Sequence, residues 1–208
     1  MLLDLCRGTM VAMDENEWNE LYREREQIWS GMPNAALVAE AADLAPGLAL
    51  DVGCGEGGDA LWLAERGWKV VAADISSVAI ERARAAVPLA AVTWLRADLI
   101  ADPPERGRFD LVSLQYYPLP RTAGEEGVRG FLEAVAPGGF LVVVGHDMAG
   151  HQPKDARFNP ADYYSVGQIA ELLGSGWEIL THEARPRERR LPDGREAPAD
   201  IVLKARKR

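Results

Sequence analysis

The chain has 208 residues, of which 48% are hydrophobic, so it can bury one sizeable core and is predicted to form a single domain. Its formal net charge of −9 argues against a nucleic-acid partner held by phosphate contacts. No apolar run approaches the roughly 20 residues that cross a membrane, so neither nucleic acid nor a membrane is an expected partner.

The two cysteines, Cys6 and Cys54, form no pattern typical of a disulfide framework or a metal site. Cys6 falls within residues 1–13, which are predicted to be disordered, and neither cysteine has the neighbours of a zinc site or a nucleophile dyad. A structural disulfide is therefore not expected, no metal site is predicted, and a cytoplasmic location is favoured.

A charged helix is predicted over 15–30. Trp18, Leu21 and Tyr22 fall at positions i, i+3 and i+4, so they share one face of this helix. The simplest interpretation is that the aromatic face packs against the sheet of the core.

The stretch 49–76 carries the strongest pattern in the chain. An apolar strand over 48–52 leads into a glycine-rich turn, a helix over 60–66, a second strand over 68–73 and Asp74 at the end of that strand. The glycines of the turn are Gly53, Gly55, Gly57 and Gly58. This order is typical of a nucleotide-binding βαβ half, whose ligand lies at the carboxyl ends of the strands.

Asp51, two residues before the first glycine, separates two interpretations of the turn. Gly53, Gly55 and Gly58 also satisfy the dinucleotide pattern G-x-G-x-x-G, which would place an anionic pyrophosphate here. A carboxylate beside the turn repels a pyrophosphate but attracts the cationic α-amino group and sulfonium of S-adenosylmethionine. Asp51 therefore favours S-adenosylmethionine, whereas Asp74 suits the hydroxyls of a ribose in either interpretation.

The segment 49–98 resembles motif I and the following acidic motif of class I S-adenosylmethionine-dependent methyltransferases. The run LDVGCGEGGDALWLAERGW resembles their small-molecule branch, which includes the tellurite-resistance and thiopurine-type enzymes. The resemblance implies a Rossmann-like, doubly wound α/β fold with a seven-stranded, mostly parallel sheet, helices on both faces and an antiparallel last strand. It also implies methyl transfer from S-adenosylmethionine to a small-molecule acceptor, with S-adenosylhomocysteine as product.

The resemblance further implies a set of cofactor-binding positions. Asp98 and Leu99 match the acid that hydrogen-bonds the adenine amino group and the apolar residue that touches the ring, and Ile75 is expected to pack on adenine. An acid that ends a strand is also common in turns, so Asp98 has this plain alternative. The expected set is Asp51, Gly53, Cys54, Gly55, Asp74, Ile75, Asp98, Leu99, Gln115 and Trp29.

The N-terminal part has a second interpretation under this resemblance. Residues 14–46 are assigned to a helical cap and 47–208 to the Rossmann-like core, and such a cap often forms a lid in the resembled family. Trp18, Tyr22 and Trp29 would then supply aromatic walls, whose faces attract a sulfonium.

The remaining elements follow the order expected for this fold. Helices are predicted over 35–42, 78–86, 123–135 and 166–173, and strands over 91–95, 109–114, 140–144, 177–184 and 201–205. A tight turn with the sequence Ala-Pro-Gly-Gly is predicted over 136–139, ahead of the fifth strand.

The acceptor is expected beyond the fourth strand, where the chain reads Ser-Leu-Gln-Tyr-Tyr-Pro over 113–118. Family members that methylate adenine or glutamine amides carry Asn/Asp-Pro-Pro-Tyr there, so these acceptors are disfavoured. The substrate-side candidates are Tyr22, Tyr116, Tyr117 and His146. His146 is either a general base, a substrate contact or a solvated loop histidine. No catalytic residue is assigned, because a soft acceptor requires no base.

Two later segments have open interpretations. The loop 149–161 is expected to form a second wall of the substrate site. The stretch 185–208 holds nine basic and four acidic residues, and is interpreted as a solvated hairpin and tail in preference to an anion-binding patch.

Two other functions fit part of the pattern. An NAD(P)-dependent oxidoreductase is disfavoured by Asp51 and by the lack of a Tyr-x-x-x-Lys pair. No residue pattern separates an enzyme from a non-catalytic module that binds S-adenosylmethionine. The sequence also assigns neither the acceptor nor the choice between a monomer and a homodimer.

Overall fold

A seven-stranded mixed sheet organises the structure, a computed structural model that describes residues 13–86, 91–148, 159–187 and 198–208. The strands are β1 (Leu48–Val52), β2 (Lys69–Asp74), β3 (Val92–Arg96), β4 (Phe109–Gln115), β5 (Val135–His146), β6 (Trp177–Arg185) and β7 (Asp200–Lys207). The α-helices are α1 (Glu15–Arg23), α2 (Ala35–Ala41), α3 (Gly58–Glu65), α4 (Ser77–Ala86), α5 (Gly124–Ala134) and α6 (Val166–Glu171). Short 3₁₀ turns, Arg121–Ala123 and Pro160–Asp162, come before α5 and α6.

The strand order is β3-β2-β1-β4-β5-β7-β6. The first five strands of this order pair in parallel, whereas β7 is antiparallel to both β5 and β6. This confirms the predicted seven-stranded, mostly parallel sheet with an antiparallel last strand. The chain proceeds outward from β1 to β3 and then returns to β4, so the strand order reverses beside β1, where α/β sheets hold their ligands.

Side chains that alternate along the strands form two separate hydrophobic cores. On one face Leu50 packs in a cluster with Phe131 of α5 and residues of α6. On the other face Ala49 packs in a cluster with Leu37 of α2 and Leu63 of α3. Because helices cover both faces, the central strands are apolar on both sides, as parallel sheets require.

Helix α1 is shorter than the helix predicted over 15–30. It begins after Asp14, whose side chain accepts the Glu17 N–H in a capping box, and it ends at Arg23. Beyond that point the backbone N–H groups of Ile28 and Trp29 donate to the Glu56 carboxylate, at 3.1 and 2.9 Å. These long-range hydrogen bonds replace the helical ones, which is why the prediction was wrong here.

The predicted turn over 136–139 lies inside β5 instead of before it. Val135 pairs with Phe109 and Phe140 pairs with Leu111, so the four residues between Val135 and Phe140 form an irregularity within one strand. Gly138 has φ +80°, which a glycine adopts without strain. The strand resumes pairing with the same neighbour, so the glycines shape a bulge and do not start a new element.

The other predicted helices and strands are present, with ends within two residues of those predicted. None of the helices in the described residues is long and apolar enough to cross a membrane. Cys54 is a free cysteine, whereas Cys6 lies outside the described residues. The predicted disorder over 1–12, most of the predicted loop wall (149–158) and residues 188–197 also lie outside them.

The position of β7 between β5 and β6 generates a stability prediction. Leu203 on β7 is fully buried, whereas Leu180 on the neighbouring edge strand β6 is exposed. We expect Leu203→Ala to lower the free energy of unfolding by about 2–5 kcal/mol, because it leaves a cavity in the core. Leu180→Ala removes the same atoms at the surface and should change it by less than about 0.5 kcal/mol. Urea unfolding followed by circular dichroism measures both, and equal losses would contradict this placement of β7.

Candidate active site

A cavity of about 650 Å³ lies at the carboxyl ends of β1, β2, β4 and β5. Residues that end these strands, among them Val52, Asp74, Gln115 and His146, line the cavity. Trp18, from the N-terminal segment, closes part of it from the other side. The volume falls in the range of roughly 300–1,000 Å³ typical of small-molecule sites.

The glycine turn after β1 exposes its backbone to this cavity. Gly53 and Gly55 have φ angles of +67° and +52°, a conformation that side chains rarely adopt. A Cβ on Gly53 would lie 2.7 Å from the Tyr117 ring, and one on Gly55 would lie 3.0 Å from Trp29 Nε1 and from the Tyr22 hydroxyl. The aromatic side chains of Tyr22, Trp29 and Tyr117 therefore lie so close to the turn that a larger residue at Gly53 or Gly55 would contact them too closely.

Asp74, at the end of β2, holds the turn in place. Its Oδ2 accepts the Gly55 N–H at 2.9 Å and its Oδ1 accepts the Ser76 N–H at 2.8 Å. Burial raises the pKa of Asp74 above its ordinary value, although the two N–H donors act in the opposite direction. The carboxylate also lines the cavity, as predicted for a cofactor residue.

Asp51 lies deeper than its predicted role requires. Its side chain is 2% exposed, and it is not among the residues that line the cavity. The Ala60 backbone N–H donates to its carboxylate, whereas its Oδ2 accepts no hydrogen bond from any described residue. The carboxylate thus lies behind the turn and not at the cavity wall, and its contact with a ligand stays a prediction.

Asp59, in the first turn of α3, is a third carboxylate at this end that the sequence analysis did not assign. It accepts the Asn34 backbone N–H at 2.6 Å and the Asn34 side-chain Nδ2 at 2.7 Å. Burial raises the pKa of Asp59, and burial together with the charges of Asp59 and Asp74 raises the pKa of Asp51 well above its ordinary value. Only its place in a helix start could have pointed to Asp59, because the Asn34 contact joins distant parts of the chain.

The N-terminal segment packs against α4, in a cluster that contains no strand residue, so the predicted packing against the sheet was wrong. The segment also forms part of the cavity wall, and its role as a lid stays a prediction. Tyr22 is buried in a cluster with Ile28 and Ala79, and its hydroxyl accepts the Trp29 Nε1–H at 3.0 Å. Trp18, Tyr22 and Trp29 also line the cavity. Burial raises the pKa of Tyr22, so its hydroxyl stays protonated at neutral pH.

Glu56, in the glycine turn, anchors this segment and was not predicted. Its carboxylate accepts the N–H groups of Ile28 and Trp29, and it also forms an ion pair with Arg82 Nη1 at 3.0 Å. Arg82 in turn donates to the backbone carbonyl oxygens of Tyr22 and Arg25. One carboxylate therefore joins the cap, the turn and α4.

The predicted adenine-binding residues lie together on the wall beyond β3. Asp98 Oδ1 accepts the N–H groups of Ile100 and Ala101, so the turn role offered as its alternative is present. Asp98, Ile75 and Leu99 all line the cavity, and Leu99 is also part of the core. Their contact with adenine stays a prediction.

Gln115 and Tyr117 lie at and just after the end of β4, and both line the cavity. Gln115 Nε2 donates to Ser113 Oγ at 3.1 Å, and its buried Oε1 has no hydrogen-bond partner among the described residues. The Tyr117 ring packs edge-on against Phe131 at 5.8 Å. Burial raises the pKa of Tyr117, so both side chains present neutral polar atoms.

Tyr116 and His146 form the opposite end of the cavity. Tyr116 has φ +55°, an uncommon value for a residue other than glycine, and its ring lies 4.6 Å from that of His146. Asp200 and Arg187 meet them there, and Arg187 also lines the cavity. Sequence reasoning missed both, because Arg187 was included in a stretch interpreted as a solvated hairpin and tail.

Comparison with known proteins finds both similar sequences and similar structures. Residues 49–139 match the family model described as "Methyltransferase domain". Over 135 residues the chain is 31% identical to the 2-heptyl-1-hydroxyquinolin-4(1H)-one methyltransferase of Mycobacteroides abscessus, a match that covers 62% of this chain and spans 58% of that relative's length.

Among solved structures, an S-adenosylmethionine-dependent methyltransferase from Mesorhizobium loti has 25% identity and a TM-score of 0.64, covering 84% of this chain and 99% of its own. TehB from Haemophilus influenzae shares the fold, with 18% identity and a TM-score of 0.67 over 93% of this chain and 67% of its own. The family match over residues 49–139, the sequence similarity and the shared fold together support a class I S-adenosylmethionine-dependent methyltransferase.

Proposed function

We propose that the chain is an S-adenosylmethionine-dependent methyltransferase that acts on a small-molecule acceptor. The observation that carries this proposal is the group of three buried carboxylates, Asp51, Asp59 and Asp74, beside the glycine turn. Such carboxylates repel one another when ionised, so a cationic ligand relieves an electrostatic cost that a pyrophosphate would increase. This favours S-adenosylmethionine over a dinucleotide.

The residues at this end suit the cofactor group by group. The buried Asp51 carboxylate, whose Oδ2 has no donor among the described residues, would attract the α-amino group through its charge from behind the turn. The backbone of the glycine turn, which lines the cavity, suits the cofactor's carboxylate, and Asp74 suits the ribose hydroxyls. Asp98, Leu99 and Ile75 would hold adenine. When bound, S-adenosylmethionine supplies a methyl group on a sulfonium, which is already activated for displacement.

The chain's own contribution is to align the reactants and to exclude water. Trp18, Tyr22 and Trp29 cover the cavity from the cap, and their faces attract a sulfonium. The Tyr117 ring lies close to Gly53, so it borders the glycine turn as well as the acceptor end of the cavity.

The acceptor end suits a flat aromatic molecule. Tyr116, Tyr117, Pro118 and His146 line it with ring faces and edges. The similar methyltransferase of Mycobacteroides abscessus is named for a hydroxyquinolinone, which is a flat two-ring heterocycle. We therefore propose an aromatic acceptor of comparable shape for this chain.

Cysteine usage and net charge support two finer proposals. The cytoplasm suits a chain whose glycine turn holds a free cysteine, Cys54. The negative net charge suits a monomer or homodimer that takes small molecules and binds neither nucleic acid nor a membrane.

Isothermal titration calorimetry tests the cofactor. We expect S-adenosylhomocysteine to bind and NADH not to bind, because only the first brings an ammonium group to the buried carboxylates. Binding of NADH alone would overturn the proposed function.

Mass spectrometry tests whether the chain is an enzyme. The protein is incubated with S-adenosylmethionine and panels of phenols, thiols, amines and metalloid oxyanions. An enzyme would methylate at least one of these compounds, whereas a binding module would transfer no methyl group.

The raised pKa of Asp51 gives a prediction for Asp51→Asn. We expect this variant to bind S-adenosylhomocysteine at least tenfold more weakly, about 1.4 kcal/mol, because a charged group becomes neutral.

The same variant should change how stability depends on pH. A carboxyl whose pKa is raised on folding stabilises the fold at pH values below its unfolded pKa, about 3.9. It loses that contribution as the pH rises through the folded pKa. Since Asn stays neutral, the variant's melting temperature should exceed that of the wild type more at pH 7 than at pH 4.

Asp43→Asn is the matched control, because Asp43 is exposed and lies outside the cavity. It should change neither the affinity nor the pH dependence of the melting temperature. Unchanged affinity in Asp51→Asn would remove Asp51 from the binding site.

Glu56→Gln tests whether the anchored cap contributes to binding. A neutral amide weakens the ion pair with Arg82 and the hydrogen bonds from Ile28 and Trp29. We expect about a tenfold loss of S-adenosylhomocysteine affinity and faster proteolysis of the cap. Glu125→Gln, which breaks an exposed pair with Arg129, should have neither effect. Full affinity in Glu56→Gln would show that the cap is not part of the site.

A further inference from the structure

Four polar residues from separate parts of the chain meet at the acceptor end of the cavity. Tyr116 follows β4, His146 ends β5, Arg187 follows β6 and Asp200 begins β7. The antiparallel register of β5 and β7 pairs His146 directly with Asp200. The sheet therefore fixes the histidine beside a carboxylate, independently of any loop.

One nitrogen of the His146 ring lies beside this carboxylate. Nδ1 lies 3.5 Å from Asp200 Oδ1, a buried oxygen that accepts no hydrogen bond from the described residues. The Tyr116 hydroxyl bonds to the same carboxylate, and its ring packs on the imidazole at 4.6 Å. Ring packing and the carboxylate together hold the imidazole, which lines the cavity.

Arg187 competes with Asp200 for the same nitrogen. Its Nη1 lies 3.3 Å from His146 Nδ1, and its Nε lies 3.8 Å from Asp200 Oδ2. A guanidinium donates only, so it would favour the tautomer with the proton on Nε2, whereas the carboxylate favours the proton on Nδ1. Burial raises the pKa of Asp200, but its interactions with His146, Tyr116 and Arg187 outweigh burial and leave that pKa lowered. A proton on His146 Nδ1 would give the buried Asp200 Oδ1 a donor that it otherwise lacks among the described residues, whereas Arg187 already has Asp200 Oδ2 as a partner, so the Nδ1–H tautomer is favoured.

We propose that His146 is the general base that deprotonates an acceptor hydroxyl, that Asp200 is its positioning residue, and that the acceptor is therefore a weakly acidic aromatic alcohol. This inference rests on the proposed function. A carboxylate that holds Nδ1–H leaves the Nε2 lone pair free to take a proton. A base is needed for an alcohol that is neutral at physiological pH, but not for a soft thiol.

The step balances in atoms and charge. His146 Nε2 takes the hydroxyl proton while the oxygen electron pair forms the new bond to the methyl carbon. The carbon–sulfur electron pair stays on sulfur, so S-adenosylhomocysteine is neutral at sulfur and the product is a methyl ether. The imidazolium then returns its proton to solvent, with Asp200 stabilising its charge in the interval.

The other titratable groups of the cavity suit this role less well. Burial raises the pKa values of Tyr116 and Cys54, so neither is ionised at neutral pH. Asp59 and Asp74 have carboxylate oxygens that already accept N–H donors at the cofactor end. Among the described residues, His146 is the base that faces the acceptor end.

The decisive experiment compares two probes of different acidity at pH 8. 4-Nitrophenol is largely ionised at this pH, whereas 4-methoxyphenol is neutral. We expect His146→Gln to lower kcat for 4-methoxyphenol about 100-fold, within the usual range for a general base, and to lower kcat for 4-nitrophenol less than fivefold. Asp200→Asn should show the same acidity dependence at about tenfold. Equal losses on both probes would overturn the proposal, since a structural role does not depend on acceptor acidity.

His182→Gln is the matched control, because His182 is exposed on β6 and should leave both rates unchanged. Calorimetry with S-adenosylhomocysteine checks that each variant still folds and binds the cofactor. If the wild type binds S-adenosylhomocysteine but methylates neither phenol, the acceptor class is wrong and the proposed function stands. If it does not bind S-adenosylhomocysteine, the proposed function itself fails.

A second measurement does not depend on turnover. The chain has three histidines, so ¹⁵N-labelled protein and the His146→Gln variant assign the His146 signals. In the complex with S-adenosylhomocysteine, we expect long-range ¹H–¹⁵N spectra to show the proton on Nδ1, and Asp200→Asn to lose this preference. A proton on Nε2 in the wild type would overturn the assignment of His146 as the base.

Discussion

The burial of three carboxylates beside one glycine turn is the constraint on which the cavity depends. Asp51, Asp59 and Asp74 lie beneath and beside one glycine turn, and burial alone already disfavours their ionised forms. Backbone N–H groups offset part of this cost at Asp74 and Asn34 offsets part at Asp59. Asp51 keeps an oxygen without a donor among the described residues, so a bound cation has most to contribute there.

The same turn organises the cap. Glu56 lies in the turn and accepts the N–H groups that end the helical path of the N-terminal segment, while Asp59 accepts those of Asn34 at the start of α2. Two turn carboxylates therefore position the wall that closes over the turn itself. The cofactor end of the cavity and its cover are one hydrogen-bonded unit, so a change in either is expected to affect both.

The acceptor end depends on the antiparallel strand. Five parallel strands end at one edge of the sheet, where Tyr116 and His146 lie. If the next strand also ran parallel to β5, its last residue would lie at that edge and its first residue at the opposite edge. Because β7 runs the other way, its first residue, Asp200, arrives beside the last residue of β5. The fold thus places a carboxylate from the far C-terminal part of the chain behind a cavity histidine.

Local pattern in the sequence determined the elements and much of the cavity. Alternating apolar residues, the glycine cluster and the acid that ends β2 predicted the βαβ unit and the edge of the sheet where the cavity lies, because these signals depend on neighbours within a few positions. The adenine-side residues Ile75, Asp98 and Leu99 came from the family resemblance. Resemblance added the complete sheet with its antiparallel last strand. No local signal marks the end of the first helix after Arg23, so the helix was predicted to be longer than it is.

Only the tertiary structure decided which side chains meet. It set the depth of Asp51 behind the turn, the hydrogen bonds from Ile28 and Trp29 to Glu56, and the pairing of His146 with Asp200. Each of these contacts joins residues from separate elements, and many of the residues are distant along the chain. The periodicity of a sequence does not predict such contacts. Burial and hydrogen-bond partners are properties of packing, so the sequence named part of the site, whereas the fold added Glu56, Asp59, Arg187 and Asp200 and assigned the contacts.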